Sequence, residues 1–170
     1  MSTESARVGA RGCVAAGSPH AARAGAAVLA AGGNAVDAAI GACLALCVAD
    51  PINASLMGRC QILGAAPDGG VFAIDGASVA PARLAYAGER RGPFAAVPVP
   101  GLPRALAAAH RAHGRLGLAA IVAPARALAE EGFEVPRHLG AMFEEKGALI
   151  ARDPAARRLL GGGAGVLPRA

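Results

Sequence analysis

The chain has 170 residues, 54% of them hydrophobic and 17% charged, with 17 Lys and Arg against 12 Asp and Glu for a formal net charge of +5. That length suits one domain, on a usual range of about 100–200 residues, and the composition excludes a disordered chain, which needs low hydrophobicity and high charge. The cations are Arg apart from Lys146 and are scattered, with Arg90-Arg91 and Arg157-Arg158 the densest pairs, while aromatics are only 3%; a nucleic-acid binder, which needs a basic stripe and stacking rings, is excluded as well.

Taken in order, the first 16 residues read as an N-terminal tail. Met1 to His20 has no apolar core segment, so a secretory signal is not expected. Ser18-Pro19 reads as a helix start, with Ser capping the open N–H groups and Pro at the first helical position. An Ala-rich helix over 19–31 follows and ends at Gly32-Gly33. A second helix is expected from Ala35 to Ala49, with Val36, Ile40, Cys43, Leu44 and Cys47 on one face. Its other faces are mostly alanine, so it should be sandwiched, and Asp50-Pro51 should stop it.

The apolar runs Cys60–Ala65 and Val71–Asp75, split by Ala-Pro-Asp-Gly-Gly, predict a β-hairpin. Phe94–Val99 reads as a further strand of the same sheet, with the helix over 35–49 packed on it. Helices are expected over 102–113, over 118–131 with Pro124 restarting the helix, from Pro136 to Ala151, and briefly after Asp153-Pro154. Residues 17–160 thus read as one partial domain of α/β (α+β) class, helix-rich with a short antiparallel sheet, and 161–170 as a truncated tail. The longest apolar run, Ala38 to Ala49, is 12 residues, against about 20 for a spanning helix, so no membrane association is expected.

Candidate chemistry is sparse. Cys13, Cys43, Cys47 and Cys60 form no CxxC and read as reduced, mostly buried thiols, which with the missing signal points to the cytoplasm. His110 and His113 share a helix without a third ligand, so no metal is expected; they read as solvent-facing. His20 reads as structural, and Asp37 as a carboxylate placed for the dipole of its helix. Glu130-Glu131 and Glu144-Glu145 are adjacent pairs whose members point to different faces. Gly161–Gly165 lacks the Lys and Ser/Thr of a phosphate loop, so no nucleotide or other cofactor is expected.

Three blocks carry a resemblance. The stretch Gly17–Ala49, with Gly32-Gly33-Asn34-Ala35-Val36-Asp37-Ala38-Ala39 at its centre, resembles the opening of the gamma-glutamyltransferase family. Val97-Pro98-Val99-Pro100-Gly101 with His113–Leu116, and Pro124–Val135, resemble later blocks in the same order. The resemblance implies the N-terminal part of the large subunit of an N-terminal-nucleophile (Ntn) hydrolase, an αββα sandwich made as a self-cleaving precursor. The cut frees a Thr whose α-amine acts as base for its own hydroxyl as it attacks a gamma-glutamyl amide. The implied partners are a small-molecule amide substrate and the rest of the precursor.

Two departures qualify it. The single Thr, Thr3, stands at the wrong end for the nucleophile, so no catalytic residue is expected in this chain. Where the family has a Gly-rich loop, the chain reads Asn53 to Gln61, and Ala77 stands where the family's carboxylate-gripping Arg would be. Arg59 is the candidate substrate-binding substitute from the neighbouring loop. Three readings follow: a fragment of a gamma-glutamyl transferase or hydrolase, an amidohydrolase of the same fold taking another acyl group, and a non-catalytic truncated domain.

Overall fold

The computed structural model describes residues 6–9, 12–82 and 97–160. Its elements in chain order are β1 (Ala6–Gly9), β2 (Gly12–Ala15), α1 (Pro19–Ala30), α2 (Ala35–Ala49), β3 (Cys60–Ala65), β4 (Val71–Gly76), α3 (Leu102–His113), α4 (Leu118–Glu131), α5 (Arg137–Ile150) and α6 (Pro154–Leu160). They fall into two compact units, one joining the residues up to Ser55 with those from Arg115 onward, the other spanning Leu56–Gly114. The mixed, helix-rich α/β architecture with short antiparallel sheets is the one the sequence predicts.

The first unit is built on small residues. A side-chain carbon at Gly25 would lie 2.8 Å from Val14 Cγ1 and 3.0 Å from the Ala38 carbonyl oxygen, and one at Gly41 would lie 2.8 Å from Val28 Cγ2. Only glycine lets α1, α2 and β2 approach this closely. Ala21, Ala24, Ala45 and Ala125 fill one core cluster, and Val14, Ala38 and Ala42 another. Within its unit α2 is flanked by α1, α4 and β2. Ile40 is buried while Val36, Leu44 and Cys47 are half-buried. Within that unit the sandwiching holds, with helices and β2 as its layers.

Some local expectations are corrected. Ser18 occupies the cap of α1 and its carbonyl accepts from the Ala22 N–H at 3.0 Å, but its buried hydroxyl makes no cap bond and has no partner. Pro19 and the extended backbone of Ser18 set the start instead. Pro124 lies inside one continuous α4 and does not restart it; the carbonyl it leaves unbonded belongs to exposed Ala120, where water can serve it. Pro136 is the cap of α5 rather than its first residue. The tail read over residues 1–16 contains β1 and β2, paired from Ala6↔Ala15 to Gly9↔Gly12.

In the second unit β3 and β4 pair antiparallel, from Cys60↔Gly76 to Ala65↔Val71. The loop closes through Asp68, whose Oδ1 accepts from the Gly70 N–H at 2.9 Å, with Gly69 at φ +86°. Alternate residues of the hairpin turn toward α3, where Phe72 stacks on His113. Of the expected strand 94–99, residues 94–96 lie outside the described residues; Val99 bridges Val79.

Candidate functional site

The most specific motif, Gly32–Ala39, is a joint. Gly32, at φ +95°, ends α1. A carbon on Gly33 would meet the Val28 carbonyl oxygen at 2.8 Å. Asn34 and Asp37 then form a reciprocal capping box: Asn34 Oδ1 accepts from the Asp37 N–H at 2.9 Å, and Asp37 Oδ2 from the Asn34 N–H at 3.0 Å. Asp37 is 0% exposed, yet it also accepts the backbone N–H groups of Arg115 and Leu116, each at 3.1 Å. A buried carboxylate needs such partners. The role expected of Asp37 at the helix start is therefore enlarged to a clamp on the chain segment just before α4. With both oxygens engaged by amides, Asp37 is tied into structure rather than acid–base work.

His20 is structural too. Its Nε2 lies 3.0 Å from the Glu134 carbonyl oxygen and its ring 5.0 Å from that of Phe133. Buried Asp50 ends α2 and accepts Asn53 Nδ2 at 3.0 and 3.1 Å, which fixes the chain as it leaves the helix.

Beside this joint lies an open cleft of about 810 Å³, bordered by residues 12–17, floored by α2 and rimmed by Arg115. Two thiols, Cys13 and Cys43, line it. Neither entered the sequence reading as a site residue, because a cleft joining residues 12–17 to α2 has no signal in one dimension.

The sequence-predicted site falls in the second unit. Arg59 is exposed and immediately precedes β3. The β3–β4 register ends at Cys60↔Gly76, and Arg59 and Ala77 are the residues that flank this last pair. Asp75 Oδ1 accepts the Ala77 N–H at 2.8 Å, pinning the backbone there. Gly101 lies against the Gly76 and Ala77 carbonyl oxygens, where any side chain would collide. Ala77, which the resemblance places at the carboxylate-gripping position, and Arg59, its expected substitute, thus lie at the open end of one hairpin. Beside them burial pushes the Cys60 thiol up from its ordinary value.

The remaining candidates stay apart from chemistry. His113 is half-buried and stacks on Phe72 with centroids 3.8 Å apart and planes at 17°, so it is not solvent-facing. His110 is half-buried as well, and no group of three metal-ligating residues occurs among the described residues. Glu130, Glu131, Glu144 and Glu145 are all exposed. No helix is long and apolar enough to cross a membrane among the described residues. Thr3 and Gly161–Gly165 lie outside the described residues.

A gamma-glutamyltranspeptidase family model matches residues 21–169. The acylase ACY 1 proenzyme of Pseudomonas sp. (strain V22) is 35% identical over 178 residues, covering 94% of this chain and 32% of that protein. Glutathione hydrolase 3 of Arabidopsis thaliana is 31% identical over 153 residues, covering 86% and 24%. Among solved structures, gamma-glutamyltranspeptidase from Pseudomonas nitroreducens superposes with a TM-score of 0.80 at 25% identity, over 92% of this chain and 50% of that one. Cephalosporin acylase from Bacillus halodurans does so with a TM-score of 0.68 at 33% identity, over 78% and 26%. The chain therefore spans 32% and 24% of the length of these curated relatives.

Proposed function

Because the chain belongs to the gamma-glutamyltranspeptidase family, we propose that it is the first part of the large subunit of an amidohydrolase or acyltransferase working in the cytoplasm. The chemistry is acyl transfer from an amide to a threonine hydroxyl, then to water or an amine, with the threonine supplied by polypeptide beyond this chain. The observation that carries this reading is the match along 21–169, supported by the intact joint at Gly32–Ala39.

Specificity is a separate matter, and we propose that the acyl group differs from the gamma-glutamyl group. Two points favour it: the resemblance puts Ala77 at the carboxylate-gripping position, and the acylase relatives reach 35% and 33% identity. Alanine has no donor for a carboxylate, whereas a bidentate Arg pair is among the stronger recognition contacts. Arg59, at the same open end of the hairpin as Ala77, is the cation that serves acyl groups carrying a carboxylate in another position.

The test uses the complete precursor. Arg59→Ala should raise KM for acyl substrates bearing a carboxylate, with kcat little changed, since it removes a contact made equally in ground and transition states. Ala77→Arg should lower KM for gamma-glutamyl substrates. Tight gamma-glutamyl binding by the unaltered enzyme, with Arg59→Ala silent, would overturn the specificity reading.

A further inference from the structure

Backbone contacts bind the open end of the β3–β4 hairpin to the start of α3. The Gly58 carbonyl, just before Arg59, accepts the N–H groups of Gly101 and Leu102, each at 3.2 Å. These donors sit at a helix start, where no intrahelical carbonyl reaches them. Gly101 in turn lies against the Gly76 and Ala77 carbonyl oxygens. A side-chain carbon at Gly76 would lie 2.6 Å from Ala105 Cβ, so the end of β4 is pressed onto the first turn of α3. Just beyond, Val79 and Val99 exchange backbone bonds at 2.8 and 3.2 Å.

One side chain enters this backbone junction. Asp75 is exposed, and its Oδ1 accepts the Ala77 N–H at 2.8 Å. The ladder between β3 and β4 stops at Gly76, so the carboxylate takes the place of the partner that a longer ladder would have given the Ala77 N–H. A path of direct contacts follows. It runs from Asp75 to the Ala77 N–H, from the Ala77 carbonyl to Gly101, from the Gly101 N–H to the Gly58 carbonyl, and so to Arg59. Close-packed backbone has no slack in which a shift at Ala77 would be lost.

We infer that Asp75 is a positioning residue for Arg59. By holding the Ala77 N–H it sets the turn against which Gly101 rests, and through Gly101 the backbone from which Arg59 reaches the acyl group. This rests on the proposed reading of Arg59 as the cation for a carboxylate-bearing acyl group. The two properties of Asp75 act in opposite directions on such binding. As an acceptor it orders the junction, and as an anion it repels an incoming carboxylate.

The test uses the complete precursor. Its substrates are succinyl, glutaryl and adipyl p-nitroanilides, which carry a carboxylate at three chain lengths, and pentanoyl p-nitroanilide, which carries none. Asp75 is exposed, so its replacement opens no core. Asp75→Ala should raise KM for the best carboxylate-bearing anilide about three- to tenfold, the scale of one hydrogen bond, with kcat and the pentanoyl kinetics unchanged. Asp75→Asn keeps an acceptor oxygen and should leave that KM unchanged or lower. In the Arg59→Ala background Asp75→Ala should add nothing, the mark of a residue acting through Arg59. Asp68→Ala removes the same kind of bond at the loop end of the hairpin, where Asp68 Oδ1 holds the Gly70 N–H at 2.9 Å, and should change neither constant. Amide exchange across residues 76–78 of the precursor, read by mass spectrometry, should quicken in Asp75→Ala and not in Asp75→Asn.

An Asp75→Ala enzyme whose KM is unchanged or lower would overturn the inference, the latter by showing that the charge dominates. A rise shared by pentanoyl anilide would overturn it too, since it would mark a general structural role. So would additive effects of Asp75→Ala and Arg59→Ala, or an Asp75→Asn enzyme as impaired as Asp75→Ala. Each of these failures leaves the proposed function standing as long as Arg59→Ala raises KM. A silent Arg59→Ala removes the specificity reading itself, and this inference with it.

Discussion

Removing the Asp37 carboxylate is the sharpest test of how the first unit holds together. Asp37 is 0% exposed and accepts the backbone N–H groups of Asn34, Arg115 and Leu116 at 3.0–3.1 Å. Hydrogen bonds to a charged acceptor contribute about 1.5–3 kcal/mol each, and a buried donor left unmade costs about 1–3 kcal/mol. Simple addition overshoots, because Arg115 is exposed and Asn34 half-buried, and water can reach donors there. A loss of about 3–5 kcal/mol is expected for Asp37→Ala, a large share of a typical total of about 5–15 kcal/mol. Asp37→Asn keeps one acceptor but turns an amide donor toward other donors, and should lose about 2–3 kcal/mol. Asn34→Ala removes only the cap acceptor and should lose about 1 kcal/mol. Urea unfolding of the three variants, followed by circular dichroism, measures the order; Asp37→Asn keeps the series readable if Asp37→Ala does not fold. If Asp37→Ala costs under about 1 kcal/mol, or no more than Asn34→Ala, the clamp on residues 115–116 contributes nothing and the reasoning fails.

Three further outcomes are expected. Gly25→Leu should destabilise the chain by at least about 2 kcal/mol in the same urea assay, because its first carbon already meets Val14 and the Ala38 carbonyl at 2.8–3.0 Å; a neutral result would show that the helices can part without cost. Burial raises the Cys60 thiol, so its thiolate forms at higher pH than that of an unfolded cysteine. Iodoacetamide should therefore label Cys60 more slowly at pH 8 in the folded chain than in urea, the gap closing as pH rises through the folded value; equal rates at pH 8 would refute the shift. The linked sign is that this contribution to stability is present below the unfolded thiol value and is lost above the folded one. Finally, the purified 170-residue chain should not release aniline from a chromogenic gamma-glutamyl anilide, since its single Thr is Thr3; turnover above buffer that survives further purification would count against this.

Much of the fold was legible because its punctuation is local. Gly32, Asp50-Pro51, Gly114 and Gly132 end the helices where the sequence places them, and Ala-Pro-Asp-Gly-Gly closes the β3–β4 hairpin. What stayed hidden depends on partners far along the chain. β1 and β2 have four residues each, with Val8 and Val14 their only β-branched side chains, too little alternation to read as strands. The neighbours of α2 within its unit, α1, α4 and β2, were not named, because alanine periodicity marks burial without saying what covers it. Of the site, Asp37 was placed correctly at a helix start, but its bonds to residues 115 and 116 have no trace in spacing. That Arg59 and Ala77 flank the last pair of the hairpin follows from the strand register, which the sequence reading did not work out.

The bonds of Asp37 across the chain also order events on the ribosome. Residues 56–114 form the second unit and come between α2 and the segment that clamps it. At about 5–20 residues per second, synthesis of those ~60 residues takes roughly 3–12 s. For that interval α1 and α2 have emerged while Asp37 still lacks the amides of Arg115 and Leu116, and α2 has no α4 beside it. Local helix formation takes about a microsecond, so the helix pair waits, half-assembled, for its insert. Codons between 56 and 114 therefore set how long an uncovered apolar helix and an unclamped carboxylate are exposed, and slow translation there should lower soluble yield without changing a single contact of the finished fold.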